Sequence, residues 1–588
     1  MRVARMLLEL FKLRLPCVAT QLFLAALLAP SLTLAQAPAE QASAVVPLPA
    51  TRLPRTHQPR PTSAAISAAD LMTRLYIVAD DSMQGRDAGA IGNVKATAYI
   101  AAELKRMGLK PAGDSGTYFQ VLPFKNRSID SSSVIATGDT KLPFGREWGA
   151  STPTDIVRHD QPIVYGGVLG DSSFMRLDSL AGKVVLGRLS PTDFQGGLRA
   201  IGAVASRSAG MMVVGPTQFL PFFTEPQQIL DAGGANNGPL GSLVYLTDSA
   251  ASQIFGAPLG TIAVGTVSKP ADIEIHVHTG PMPFPARNVI ALLPGSDPKL
   301  RGQYVAIGAH TDHVGLNHAP ADHDSVRIYN HIVRPGGAEQ AAAHATPEQQ
   351  LEVNKQLAAW RAAHPGETRL DSIYNGADDD GSGTVTVLEI AERLAAVRPA
   401  PKRSMLFVFH VGEEKGLLGS MYFTDHPTVP RDSIVAQLNM DMVGRGDAWD
   451  QIGDDKDGKP LHGNSRLLML VGSRRLSTEL GDLIERVNTA DKHGLVFDYS
   501  FDANGHPENI YCRSDHYAYA RYGIPIVFFT TGVHSDYHQV TDEPEYIDYD
   551  HMARIASFIE DVAVHVANLD HRVMVDHPKP DPHGSCQQ

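Results

Sequence analysis

From residue 285 onward the chain alternates between short, almost wholly apolar runs and longer stretches whose apolar positions recur every three or four residues. The runs 304–309, 405–411, 434–438 and 524–529 lack the apolar/polar alternation of a half-exposed strand, so they predict strands buried on both faces of a parallel sheet. Residues 384–397 and 551–568 have helical periodicity, and the two kinds of segment in alternation predict an α/β domain with helices on both faces of a mixed, mainly parallel sheet. Earlier, Leu71, Leu75 and Val78 mark a helix beginning near residue 66, and residues 96–107 predict a second one that stops at Gly108. A polar loop, DSMQGRDAG, joins them at 81–89. Residues 150–285 differ in character: they are rich in Gly and Val, with short strand-like runs at 183–189 and 210–214.

These changes divide the chain into a leader at 36–63, the first part of a larger domain at 64–149, a smaller β-rich insert at 150–285, the rest of the larger domain at 286–570, and a tail at 571–588. The leader is rich in Ala, Pro, Gln and Thr, and the tail in Pro and His, so both are expected to be disordered. The larger domain carries an insertion at 317–370 with a helix at Pro347–Ala363. On either side of that helix, DSVRIYN (324–330) nearly recurs as DSIYN (371–375), which suggests a partial duplication.

The amino terminus changes the picture of where the protein acts. Arg2, Arg5, Lys12 and Arg14 precede an apolar stretch at 22–34 and the small residue Ala35, the pattern of a secretory signal peptide over residues 1–35. About 13 apolar residues are too few to span a bilayer, so export without a stable membrane anchor is expected. Cleavage would remove a net three positive charges from a chain of net charge −13, leaving about −16, which argues against nucleic acid as a partner. Only Cys512 and Cys586 would remain, enough for one bridge.

The run at 405–411 stops at Gly412-Glu413-Glu414, beyond the carboxyl end of a buried strand, where open α/β sheets bind their ligands. Successive side chains of extended backbone point to opposite sides, so one carboxylate can hold a metal while its neighbour faces what the metal activates. Four further clusters sit at similar places: His310-Thr311-Asp312, Asp378-Asp379-Asp380, Asp441, and His538 with Asp542. Two imidazoles and several carboxylates suit Zn²⁺ or a similar divalent ion. The residues alone do not choose among Asp378, Asp379 and Asp380. No HExxH or GxSxG is present, so zincin and nucleophile-elbow readings have no support.

The texts IGAHTDHVG, NGADDDGSGT, FVFHVGEEKGLLGS, LNMDMVG, SDHYAYARYGIPIVFFTTG and DYHQVTDEPEYID together resemble the zinc exopeptidases of the M28 type, over 285–568 and more faintly over 66–125. LAGKVVLGR and AVASRSAGMMVVG resemble the protease-associated domain inserted in several exported peptidases. The first resemblance implies two zinc ions per chain, with His310 on one, His538 on the other, Asp379 bridging, and Glu414 and Asp441 completing the sites. It singles out Asp379 because the bridging Asp of the family lies three residues before an SG pair, here Ser382-Gly383. A metal-bridging water would attack the peptide, with Glu413 as general base and acid, and Asp312 would accept the second ring N–H of His310. Peptides are the implied substrates, attacked from the amino end. A carboxypeptidase of the same family is the alternative, with Arg445 or Arg513 holding a terminal carboxylate, and a non-catalytic, receptor-like relative is a third reading.

Overall fold

The computed structural model describes residues 53–190, 194–230, 242–340, 343–366, 368–584 and 586–588. The expected signal peptide and most of the leader lie outside these residues. A single mixed sheet carries the larger domain. Its strands are β1 (Lys110–Pro111), β2 (Phe119–Val121), β3 (Arg287–Leu293), β4 (Tyr304–His310), β5 (Ser404–His410), β6 (Ile434–Met440), β7 (Leu467–Val471), β8 (Val496–Asp498) and β9 (Ile526–Thr530). They lie in the order β1-β3-β5-β4-β6-β9-β7-β8, with β2 also on β3. The block β5-β4-β6-β9 is parallel, and antiparallel β3 and β7 flank it. After β4 the chain places β5 on one side and then β6 on the other. Strand order therefore reverses at the carboxyl end of β4, opening a crevice there.

The apolar runs are buried on both faces because each face meets helices. In β5, Met405, Phe407 and Phe409 pack into a core that includes the helices Ala68–Val78, Ile91–Arg106, Gly383–Ala396, Thr478–Ala490 and Tyr549–Asn568. Leu406 and Val408 point the other way, into a core with the helices Leu418–Asp425 and His516–Ala520. The first helix is also fixed electrostatically. Arg74, fully buried, reaches Glu389 at 3.0 Å, Glu103 at 2.9 Å and Glu392. Removing one partner of such a buried group typically costs about 3–5 kcal/mol.

The β-rich insert begins earlier than its composition indicates. Phe124–Ile129 pairs with Val277–Pro281 and Gln227–Leu230, and Trp148–Ser151 pairs with Leu243–Leu246. Residues 124–149 thus belong with the insert, which leaves and re-enters the larger domain through one antiparallel pair. Composition missed this because 124–149 is polar and carries no Gly/Val signature.

In the second insertion, Leu316–Asp322 and Leu370–Ile373 form a two-stranded stem. It bears the helices His323–Val333 and Pro347–Ala363, the latter opened by a capping box between Thr346 and Gln349. The recurring text is not a structural repeat: its first copy is helical, whereas the second begins in the stem strand.

Both ends depart from the disorder expected of them. From Leu53 the leader is laid on the body: the Leu53 N–H donates to the Glu545 carbonyl (3.1 Å) and the Thr62 hydroxyl to Glu392 (2.7 Å). The tail is likewise fastened. Arg403 donates to the His571 carbonyl (2.6 Å), Cys586 forms a disulfide with Cys512 (Cα–Cα 5.9 Å), and the Gln588 side chain accepts from Tyr511 N–H (2.8 Å) and donates to the Ala503 carbonyl (3.1 Å). Composition could not reveal these long-range ties. The disulfide closes a loop across 74 positions, so Cys586→Ser should lower the unfolding free energy by about 2–4 kcal/mol in urea denaturation. An unchanged transition would show that the bridge bears no load.

Candidate metal centre

Four loops converge at the carboxyl edge of the parallel block. β4 ends in His310 and continues into Thr311-Asp312-His313. β5 ends in His410 and turns sharply at Gly412, whose φ of +75° suits glycine, to deliver Glu413 and Glu414. β6 ends at Met440, one residue before Asp441, and the loop after β9 brings in His538, itself held at φ 53°. A turn at Ala377–Ser382, leading into the helix Gly383–Ala396, contributes Asp379.

Asp379 lies at the centre. Its Oδ1 is 3.2 Å from His310 Nε2, and Asp441 Oδ1 is 3.6 Å from the same nitrogen. Its Oδ2 is 2.6 Å from His538 Nε2 and 3.6 Å from His313 Nδ1. Glu414 closes this second group at 2.8 Å from His313 Nδ1 and 3.3 Å from His538 Nε2. Two clusters with metal-ligand spacing result, His310-Asp379-Asp441 and His313-Asp379-Glu414-His538, sharing Asp379. The structure therefore brings together all five ligands expected from the sequence, and adds His313.

The other aspartates point elsewhere. Asp378 Oδ1 accepts from Gly444 N–H (2.7 Å), and Asp380 accepts from the N–H groups of His310 (2.9 Å) and Gly383 (2.9 Å). Asp542 accepts from the N–H groups of Asp378 (3.0 Å) and Asp379 (3.1 Å). Each ties down the backbone of a ligand-bearing turn. Asp441 is aimed by the Ser514 hydroxyl, which donates to its Oδ2 (2.6 Å).

Asp312 has a different role from the one expected. The Nδ1 of His310 meets the main-chain carbonyl of Asp312 at 3.0 Å, while the carboxylate is 3.8 Å away. That carboxylate instead accepts from the N–H groups of Gly412 (2.7 Å) and Glu413 (3.2 Å). It is a positioning group for the Glu413 turn. Sequence spacing fixed the neighbourhood but could not say which oxygen faces the ring.

Eight carboxylates are buried here: Asp312, Asp378, Asp379, Asp380, Glu413, Glu414, Asp441 and Asp542. Burial pushes Asp312 up to about 6 and Asp380 well above the usual carboxylate range. Burial and Glu414 act on Asp379 in the same sense, yet the imidazoles of His538, His313 and His310 hold it well below that range. Conversely, burial depresses His310, but Asp441, Asp379 and Asp380 raise it well above an ordinary imidazole. The cluster thus draws positive charge strongly. His310 Nε2 is buried facing the first group and Asp379 Oδ2 facing the second. Nitrogen and carboxylate donors at this spacing fit divalent zinc-like ions.

Residues 288–563 match Peptidase family M28. They form an M28 domain. Among curated relatives, Leucine aminopeptidase 1 of Paracoccidioides brasiliensis (strain Pb03) is 31% identical over 190 residues, 31% of this chain and 44% of that protein. Leupeptin-inactivating enzyme 1 of Streptomyces exfoliatus is 33% identical over 96 residues, 15% of this chain and 22% of that protein. The chain thus spans less than half the length of these relatives. A solved aminopeptidase from Aneurinibacillus sp. strain AM-1 aligns over 88% of this chain and 97% of its own at 18% identity, with a TM-score of 0.47.

In the M28 domain a cavity opens on Asp379, Glu413, Glu414 and Asp441, walled by Phe501, Ile510, Phe528 and Val533. Arg513 also lines it and pairs with Glu339 of the 317–370 insertion. Sequence reading passed over two residues. His313 is visible as the second imidazole of HTDH, three positions after His310. Arg86 sits in the loop read as merely polar, yet it is buried and donates to the carbonyls of Thr311 (3.1 Å), Asn375 (2.5 Å) and Gly376 (2.8 Å), joining the His310 and Asp379 loops. Nothing in its local sequence marks it. Asp312→Ala should lower activity about 10–100-fold while leaving metal content unchanged, as measured by turnover beside metal analysis; loss of metal would return Asp312 to the role of fixing His310.

Proposed function

We propose that this chain is an exported dizinc aminopeptidase that removes residues from the amino ends of peptides. The observation that carries the reading is Asp379, shared between two ligand groups, with Glu413 lining the same cavity. His310, Asp379 and Asp441 would hold one ion; His313, Asp379, Glu414 and His538 would hold the other. Two such ions supply Lewis acidity and lower the pKa of water.

The protein groups do the rest. Glu413, its backbone fastened by Asp312, takes the proton of the attacking water and passes it to the leaving amine. The four carboxylates that line the cavity favour the substrate's α-ammonium over a terminal carboxylate. The apolar wall of Phe501, Ile510, Phe528 and Val533 receives an apolar first side chain. The insert at 124–281 contributes none of these residues and is read as a protease-associated-type accessory. Among the described residues no helix is long and apolar enough to cross a membrane.

For the carboxypeptidase alternative, Arg445 is already committed to Asp536 (3.0 Å) and Asp450 (3.4 Å) deep in the protein. Arg513 is the one of the two candidate arginines that reaches the cavity.

Glu413→Gln should retain the fold and both ions while lowering kcat by about 10²- to 10⁴-fold. Glu414→Gln and His313→Ala should instead weaken one ion, as seen by metal titration. Near-normal turnover of the Glu413 variant would remove it from the chemistry. Acetylating the amino terminus of a good peptide substrate should nearly abolish cleavage, and amidating its carboxyl terminus should change little. The reverse pattern, followed by mass spectrometry of the products, would assign the carboxypeptidase reading.

A further inference from the structure

A third cluster with metal-ligand spacing lies outside the centre just described. One ligand atom each from His323, Asp371 and Glu543 falls within 4.8 Å of the others. The three come from separate places: His323 opens the helix His323–Val333, Asp371 lies on the stem strand Leu370–Ile373, and Glu543 follows His538 by five positions. His323 is completely buried, and neither of its ring nitrogens makes a hydrogen bond, although Asp324 Oδ1 is 3.5 Å from Nδ1. Its ring lies beside Tyr546, with centroids 5.9 Å apart. A buried imidazole without a partner is costly unless something else satisfies it.

The charge around it is also uneven. Arg369 is shared among Glu543 (2.5 Å), Asp371 (3.3 Å) and Glu545 (3.1 Å), and Arg55 adds a longer contact to Glu545 alone (3.9 Å), so Glu543 and Asp371 depend on one shared guanidinium. Arg327, nearby over the ring of Tyr546, leans toward Asp536 (3.7 Å). The Asn375 amide nitrogen adds one neutral donor to Glu543, 3.2 and 3.3 Å from its two oxygens. A divalent cation would satisfy the imidazole and balance the surplus charge, while Arg369 keeps Glu545 through its other terminal nitrogen.

We propose that His323, Asp371 and Glu543 bind a third divalent cation, of the first-row kind favoured by mixed imidazole and carboxylate donors, which clamps the 317–370 insertion to the loop carrying His538. The stem strand and the helix leaving it would then be tied to the same segment that supplies a ligand to the centre. This site does not depend on the peptidase reading, because none of its residues belongs to the two groups around Asp379.

The test is metal stoichiometry of the full chain saturated with Zn²⁺ and freed of excess ion. A third equivalent should bind to the wild-type protein, and His323→Gln and Asp371→Asn should each lose it while retaining the other two. His493→Asn serves as the control for the half-exposed Asp491-His493-Asp561 cluster and should leave all three. The same two site variants should be cut faster by trypsin within residues 317–370. As a measurement needing no variant, crystals of the zinc-saturated protein should show anomalous scattering at the zinc edge between the three side chains. Saturation at two equivalents, retention of the third by both variants, or no anomalous signal at this place would each overturn the proposal.

Discussion

The crowding of eight buried carboxylates at one end of the sheet is the constraint on which the architecture turns. Left unpaired, such a group would repel itself and take up protons. Compensation comes in layers. Asp312, Asp378, Asp380 and Asp542 each accept from backbone N–H groups and so hold turns together. Arg86 braces the carbonyls of two of those turns from behind. Asp379, Glu414 and Asp441 face imidazoles and remain available to a cation. The acids that look redundant in the sequence are the scaffold for the few that are not.

This division of labour explains why the site sits at the switch of strand order beside β4. Only there do loops from four parallel strands approach one another closely enough for side chains as short as aspartate to bridge between them. The buried strands supply rigidity: β5 is sealed on both faces, so the Glu413 turn departs from a fixed platform. The insertion at 317–370 reaches back to the cavity's edge, where Glu339 meets Arg513. The rim is therefore built from chain segments remote from those that form the floor.

Much of this was legible in the sequence. The runs giving β4, β5, β6 and β9 were evident because burial on both faces leaves an unbroken apolar text, and their observed limits differ from expectation by one or two residues at most ends. β3 and β7 were harder to read: they are the antiparallel flanks, without a chemical motif at their ends. The six motifs located the candidate ligands, since imidazoles and carboxylates just after buried strands are unusual. What escaped was whatever depends on orientation or distant pairing. Examples are the carbonyl rather than the carboxylate of Asp312 on His310, the burial of Arg86, and the start of the β-rich insert at residue 124. Periodicity reports which face a residue occupies within its own element, and none of these is a property of one element.

The tether between Cys512 and Cys586 also orders events in time. Phe501, Ile510 and Arg513 wall the cavity, yet the cysteine and glutamine that pin their segment come some seventy positions later, after the loop bearing His538 and the helix Tyr549–Asn568. That covalent fastening forms only where thiols can be oxidised. A wall tied in this way is completed late: until Cys586 and Gln588 are in place, the segment with Ile510, Tyr511 and Arg513 lacks these ties.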